Sequence, residues 1–320
     1  MASKILDRAF SLEAVRVTEA AAINAARQIG RGDEHAADQA AVEAMRAAFN
    51  DLPISGTVVI GEGERDEAPM LYIGEKVGAG GVAVDIALDP LEGTTLTAKA
   101  LPNALAVMAI AETGTLLNAP DTYMDKIAIG PGYKDDVIDL DASPADNVLS
   151  LAKAKGVKPN EIRALVLDRP RHSHIIEGIR STGAAVQLIT DGDVAGVIAT
   201  TDPETGIDIY MGQGGAPEGV LAAAALRCVG GQIQTRLVFK KDDERARAAK
   251  LGITDFNKKY TLMDLASGDV IFAATGVTDG SMLRGVHVHR DHITTESIVM
   301  RSATGTVRWI RARHAKSRHM

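Results

Sequence analysis

The sequence predicts a protein of class α/β and α+β in two domains, on three observations. At 320 residues the chain exceeds the usual span of one domain. Its first half mixes helical periodicity with short apolar runs. From about residue 160, strand and helix signals alternate, the pattern of a largely parallel α/β sheet. The polar stretch DLDASPADN marks the boundary, giving domains 1–158 and 159–320, with the C-terminal stretch left free to rejoin the first.

Residues 11–29 read as a helix with Ser11 at its N-cap and Gly30 beyond its end. After the loop GRGDEHAA, Asp38 starts a second helix, in which Val42, Met45, Phe49 and Leu52 recur at helical spacing. Residues 57–60 form a strand that turns at Gly61-Glu62-Gly63-Glu64. The run VDIALD is a strand that Pro90 ends, because proline cannot donate to a ladder. Gly93-Thr94-Thr95 opens a helix, and 105–111 is a strand. In the second half 163–167, 185–190 and 207–211 are strands, while 172–181, 194–199 and 217–229 are helices. Strand signals return at 270–274 and 306–310, and the basic tail from Arg311 is expected to fray.

Composition excludes several classes. A hydrophobic fraction of 46% supplies a core, filled by Ala, Val, Ile and Leu because aromatics make up only 3%. A net charge of −7 argues against nucleic acid as a partner. Cys228 is the only cysteine, so no disulfide forms within one chain and a reducing compartment is expected. No apolar run approaches the roughly 18 residues of a spanning helix, and the N-terminus lacks a secretory h-region. The expectation is a cytoplasmic protein without a membrane partner.

The segment VDIALDPLEGTT is the most informative. Asp85 and Asp89 share one strand face, Glu92 follows in the turn, and Thr94 opens a helix whose free N–H groups suit an anion. Asp38, Glu62 and Glu218 also stand where a regular element meets a loop. Each has a bland reading: a helix cap for Asp38, a solvated turn for Glu62, dipole complementation for Glu218. Together with the DPLEGT run they imply two or more hard divalent cations holding a phosphate, with the Thr94 hydroxyl placed to orient an attacking water. Arg169-Pro170-Arg171, after a strand end, suit a phosphate or a solvated basic turn. Asp191-Gly192-Asp193 suit sugar hydroxyls, or a cap by Asp193. Tyr123 suits a ligand or, on its own residues, core packing.

Other chemistries fit poorly. GEGE lacks the third glycine of a dinucleotide fingerprint, Asp66 standing there, and its glutamates would repel a pyrophosphate. His287, His289 and His292 lack zinc spacing and read as surface residues. No G-x-S-x-G elbow is present, and Cys228 lies in an apolar helix. A non-catalytic metal- or nucleotide-binding protein is the alternative from another class.

DPLEGT resembles the DP-x-[DE]-GT signature of the metal-dependent, lithium-sensitive sugar and inositol phosphatases. GTVVIGEGERDEAPMLYIGEKVG, LNAPDTYMDK, RPRH, DGDV and GGAPEGV narrow the resemblance to class II fructose-1,6-bisphosphatases, from about Arg16 to His314. That resemblance implies a layered αβαβα sugar-phosphatase fold and Mn²⁺- or Mg²⁺-dependent removal of the 1-phosphate of fructose 1,6-bisphosphate. Some members also accept sedoheptulose 1,7-bisphosphate, and relatives act on inositol phosphates or nucleotide 3′-phosphates. It assigns Asp38 and Glu62 to one metal and Asp89, Glu92 and Glu218 to a second, with Thr94 placing water and Asp66 assisting. Glu92, Gly93, Thr94, Tyr123, Arg169, Pro170, Arg171, Asp191, Gly192, Asp193 and Gly215 would touch substrate, and Asp85 would stand behind the ligands. A homodimer or tetramer is implied. The chain departs from the family at Glu34 and Ala36, where lysine and threonine are usual, and Arg31 is the candidate replacement for the lysine's charge.

Overall fold

The computed structural model describes residues 6, 8–63 and 69–316. Its contacts divide the chain into two units, Met1–Leu116 with Gly268–Met320, and Leu117–Ser267.

The first unit opens with α1 (Phe10–Ala25). Ala9 is already helical at the cap position, so Ser11 falls inside the first turn. α2 (Glu34–Phe49) starts a turn earlier than expected, because Asp33 caps it, accepting the Ala36 N–H at 2.9 Å. The capping role weighed for Asp38 is therefore taken by Asp33. β1 (Ile54–Ile60), β2 (Lys76–Val77), β3 (Val82–Glu92), α3 (Thr94–Ala98) and β4 (Leu105–Glu112) follow. Pro90 does not end β3. Pairing with β4 breaks after Asp89 and resumes at Glu92 opposite Leu105, so the proline sits in a bulge where no ladder donor is required.

The second unit runs β5 (Tyr123–Ile129), α4 (Pro144–Lys155), β6 (Arg163–Leu167), α5 (Ser173–Ser181), β7 (Ala185–Ile189), α6 (Asp193–Ala199), β8 (Ile209–Gly215) and α7 (Ala216–Val229). It closes with β9 (Gln232–Val238), α8 (Asp242–Lys250), β10 (Tyr260–Thr261) and α9 (Leu262–Leu265). The expected boundary at DLDASPADN falls inside this unit. Ser143 there accepts the Asp146 N–H and Pro144 takes the first helical position, so the polar run is helix-cap chemistry at α4. The chain then returns to the first unit as β11 (Val270–Gly276), β12 (His287–Val288), β13 (His292–Arg301) and β14 (Thr306–Ala315). Residues 311–315, expected to fray, pair with β13 instead.

Among the described residues the protein is a mixed α/β structure on two sheets, eight-stranded in the first unit and six-stranded in the second. In the first, β1 and β3 are parallel and the other pairings antiparallel. α1 and α2 bury an aliphatic core on it that includes Val17, Met45, Phe49, Ile86, Met108 and Ile110. The second has the order β10-β9-β5-β8-β6-β7 and is not largely parallel. Only β6 with β7 and β6 with β8 run parallel. The alternation of strands and helices was read correctly for that half, but β5 and β9 pair antiparallel although α4 follows β5 and α7 precedes β9, so alternation alone does not fix strand direction. Ile127 and Ile129 of β5 pack with α4 and α5 residues, whereas Met124 and Lys126, on the alternate face, meet α7 at Gly219.

Candidate active site

In the first unit the acidic candidates gather at one end of the sheet because β1 and β3 are parallel neighbours. Ile60 pairs with Ala87, and each strand carries its next candidate two residues on, Glu62 and Asp89. The carboxyl ends of parallel strands are where open α/β sheets bind ligands. Glu62 is fixed by its own N–H, which donates to the Leu71 carbonyl at 3.0 Å. Asp89 accepts the Leu91 N–H at 3.0 Å across the bulge, and Glu92 is buried at 3% exposure. Gly93 then adopts φ 89°, where a Cβ would also lie 2.8 Å from Leu96 Cδ1, and the chain turns into α3 with Thr94 at its first position. α3 is five residues long, so it offers N–H groups more than a macrodipole.

α2 is tied to this turn. The Thr95 hydroxyl donates to Glu34 at 2.9 Å, and the Gly30 and Gly32 N–H groups donate to Thr97 and Ala98. Asp38 lies in the second turn of α2, and burial pushes its carboxyl above the usual range against the opposing effect of His35. Asp85 takes no part at this end: its Oδ2 accepts the Gly114 N–H at 2.7 Å in the turn after β4. Burial raises its carboxyl too, with Gly114 and Lys76 opposing. Asp66 lies outside the described residues. Among the described residues, no three Asp, Glu, His or Cys side chains are gathered closely enough to hold one metal ion.

The second unit repeats the geometry with different chemistry. β6, β7 and β8 run parallel, and Arg169–Arg171, Asp191–Asp193 and Gly215–Glu218 follow their carboxyl ends in turn. Tyr123 begins antiparallel β5 opposite Gly215, at the same edge. It is 36% exposed rather than packed in the core; Lys240 Nζ stands 3.7 Å from its ring centroid and Arg171 Cζ 5.2 Å. Arg169 is half-buried, while Arg171 donates to the Gln213 carbonyl at 2.7 Å and keeps a buried Nε without a hydrogen-bond partner among the described residues. His172, buried beside it, donates from Nδ1 to the Leu167 carbonyl at 2.8 Å and accepts the Gln213 N–H on Nε2 at 2.9 Å. Burial lowers its basicity, which keeps that arrangement neutral. Arg171, His172, Gln213, Asp125, Asn147 and Arg236 line a cavity of about 210 Å³.

Behind the β8 turn lies a buried charge cluster. Lys126, fully buried, forms an ion pair with Asp193, whose carboxylate is thereby committed; it does not cap α6, where Gly192 is the N-cap. Close approach explains two glycines: a Cβ at Gly214 would lie 2.1 Å from Asp193 Oδ2, and one at Gly215 would lie 1.9 Å from Glu218 Oε2. Glu218 Oε2 is buried with no hydrogen-bond partner among the described residues. Burial first, then the charge of Asp193, pushes the Glu218 carboxyl up to about 7, with Lys126 opposing. Such an oxygen fits a cation better than it fits its present surroundings. The donors proposed from the sequence are all carboxylates, the ligand type of Mg²⁺ and Mn²⁺.

Sequence reasoning missed Lys126, His172 and Gln213. A lysine flanked by Asp125 and Ile127 reads as a solvated strand residue, and only the fold reveals its burial. His172 was legible only as the end of RPRH. The three histidines near residue 290 are surface groups, as expected: His287 contacts Asp279 at 2.9 Å, and His289 stacks on His292 with centroids 4.3 Å apart. Cys228 is buried in α7 and donates to the Ala224 carbonyl at 3.3 Å.

The sequence matches the family model described as bacterial fructose-1,6-bisphosphatase, glpX-encoded, over residues 8–314. It is 45% identical over 322 residues to fructose-1,6-bisphosphatase 1 class 2 of Escherichia coli strain K12, covering 96% of this chain and 95% of that protein. The class 2 fructose-1,6-bisphosphatases of Escherichia coli O6:H1 strain CFT073 and of Shigella flexneri match to the same extent.

Proposed function

The chain belongs to the glpX-encoded bacterial fructose-1,6-bisphosphatase family, and from that premise we propose that it hydrolyses the 1-phosphate of fructose 1,6-bisphosphate, giving fructose 6-phosphate and phosphate. It is a phosphoric monoester hydrolase of a metal-dependent family. The match over residues 8–314 carries this reading, because it spans every candidate site residue.

Asp38, Glu62, Asp89, Glu92 and Glu218 are the proposed ligands of Mn²⁺ or Mg²⁺, two or more ions in all. Their all-oxygen chemistry and the unsatisfied Glu218 Oε2 support the assignment. When bound, such ions supply Lewis acidity toward water and positive charge toward the phosphoryl oxygens. The protein's own groups do the rest. Thr94 offers its hydroxyl to the attacking water, with Asp66 as a catalytic helper. Arg169 and Arg171 hold phosphate oxygens, the planar guanidinium presenting paired donors. Tyr123, Asp191 and the backbone at Gly93, Pro170, Gly192 and Gly215 shape the sugar site, and Asp193 holds its turn through Lys126. The protein acts in the cytoplasm as a homo-oligomer, dimer or tetramer. No helix among the described residues is long and apolar enough to cross a membrane.

The test is phosphate release from fructose 1,6-bisphosphate with Mn²⁺ or Mg²⁺, followed by a chelator. Release that the chelator abolishes is expected. Release that survives chelation overturns the metal assignment, and faster release from an inositol phosphate or a nucleoside 3′-phosphate overturns the substrate.

A further inference from the structure

Beside Tyr123 stands a cation with no role in the candidate site, Lys240. It lies two positions beyond Val238, the residue of β9 that pairs with Tyr123. Its backbone is held there from both sides. Glu244, in the first turn of α8, accepts the Lys240 N–H at 2.6 Å, and the Thr122 hydroxyl donates to the Val238 carbonyl at 2.7 Å. The Lys240 side chain turns back onto the tyrosine, with Nζ 3.7 Å from the ring centroid. Arg171 Cζ stands 5.2 Å from the same centroid. Two cations thus share one aromatic ring, whose quadrupole offsets only part of their mutual repulsion. Among the described residues no carboxylate pairs with either. Arg171 donates to the Gln213 carbonyl, and Glu244 commits Oε2 to the Lys240 and Lys241 N–H groups. Lys240 is exposed, so burial does not explain its place on the ring. An anion seated between the two charges would.

We propose that Lys240 is a further substrate-binding residue: with Arg171, and held in place by the Tyr123 ring, it grips the phosphate that stays on the sugar. This deepens the fructose-bisphosphatase reading and rests on it. That reading gives the reacting phosphate to divalent cations bound by carboxylates. Fixed positive side chains with no carboxylate paired to them suit the other phosphate. The two cations divide the task by their chemistry. The Arg171 guanidinium offers paired donors in a rigid fork, and the Lys240 ammonium adds a compact charge. A lysine already resting on a ring loses less freedom when the anion arrives, so Tyr123 acts as a platform for the charge that binds.

The experiment pairs turnover of fructose 1,6-bisphosphate with calorimetric binding of fructose 6-phosphate, both in Mn²⁺ or Mg²⁺. Fructose 6-phosphate carries only the retained phosphate. Lys240→Met keeps an unbranched stem against the ring and removes the charge. It is expected to raise KM about tenfold, leave kcat within about threefold, and weaken fructose 6-phosphate binding about tenfold, with the melting temperature unchanged. Lys240→Arg returns the charge and is expected to bring both constants back within about threefold of native. Native KM and native fructose 6-phosphate binding in Lys240→Met overturn the role of Lys240 and leave the phosphatase reading standing. A raised KM with unchanged fructose 6-phosphate binding, or no binding of that ligand by the native chain, overturns the assignment to the retained phosphate. A native chain that releases no phosphate from fructose 1,6-bisphosphate overturns the phosphatase reading and this inference with it.

Discussion

The two units end their parallel strands in similar turns, acidic in the first and of mixed charge in the second. In the first unit the turns after β1 and β3 carry Glu62, Asp89 and Glu92, with Asp38 on the helix tied beside them. In the second, the turns after β6 and β7 carry two arginines and two aspartates, one of which, Asp193, is neutralised by Lys126, and Glu218 follows β8. One end of each sheet is thus a binding edge by topology. In the proposed assignment, side-chain charge then suits one edge to cations and the other to a phosphorylated sugar. The same backbone arrangement serves both, so the assignments can be broken one residue at a time.

The largest expected effect is on the acidic side. Asp89→Ala should lower kcat by three orders of magnitude or more, about 4 kcal/mol, while the far-ultraviolet circular dichroism and melting temperature stay near native. Near-native turnover retained with an unchanged Mn²⁺ requirement would remove Asp89 from the metal set and weaken the contrast between the units.

Next comes the buried pair of the second unit. Lys126→Met keeps the aliphatic stem but leaves Asp193 buried without its cation, at a cost of about 3–5 kcal/mol in denaturant unfolding. A loss below about 1 kcal/mol would mean that the pair is wet in solution and that this edge is less pre-organised than its geometry indicates.

Glu218 tests the acidic residue that follows β8 in the second unit. The native state holds its proton up to about 7 while the unfolded chain releases it near 4.5. Between those values the native state binds more protons, so stability without metal falls as pH rises through that window and the loss is complete above it. Glu218→Gln should flatten this decline, gaining at most about 3 kcal/mol at pH 8 and little at pH 4, by thermal melting in chelator. A decline of unchanged slope would assign it to other groups.

The smallest effect is on the basic side. Arg171→Ala should raise KM for the sugar bisphosphate about tenfold and leave kcat within about threefold, the signature of binding lost equally from substrate and transition state. A change confined to kcat would move Arg171 from holding substrate to the chemistry.

Much of this was legible because it is local. The carboxylates of DPLEGT, the glycine that turns left-handed before Thr94, and the apolar runs of β1, β4 and β6 depend on neighbours within a few residues. Periodicity and turn chemistry report such neighbours directly. The same local reading misplaced the start of α2, since Asp33 and Asp38 both suit a cap and only the backbone chooses between them. It also ended β3 at Pro90, because a bulge depends on the partner strand.

Tertiary structure alone decided the rest. The sequence by itself determined which residue types could hold metal and phosphate, and their family resemblance, because those are properties of side chains and short motifs. It could not show that Lys126 meets Asp193 across 67 residues, that Glu62 follows β1 beside the parallel strand that carries Asp89, or that among the described residues β14 ends a sheet with one edge open. Each of these depends on register between distant segments, and register is set by which faces the whole fold buries.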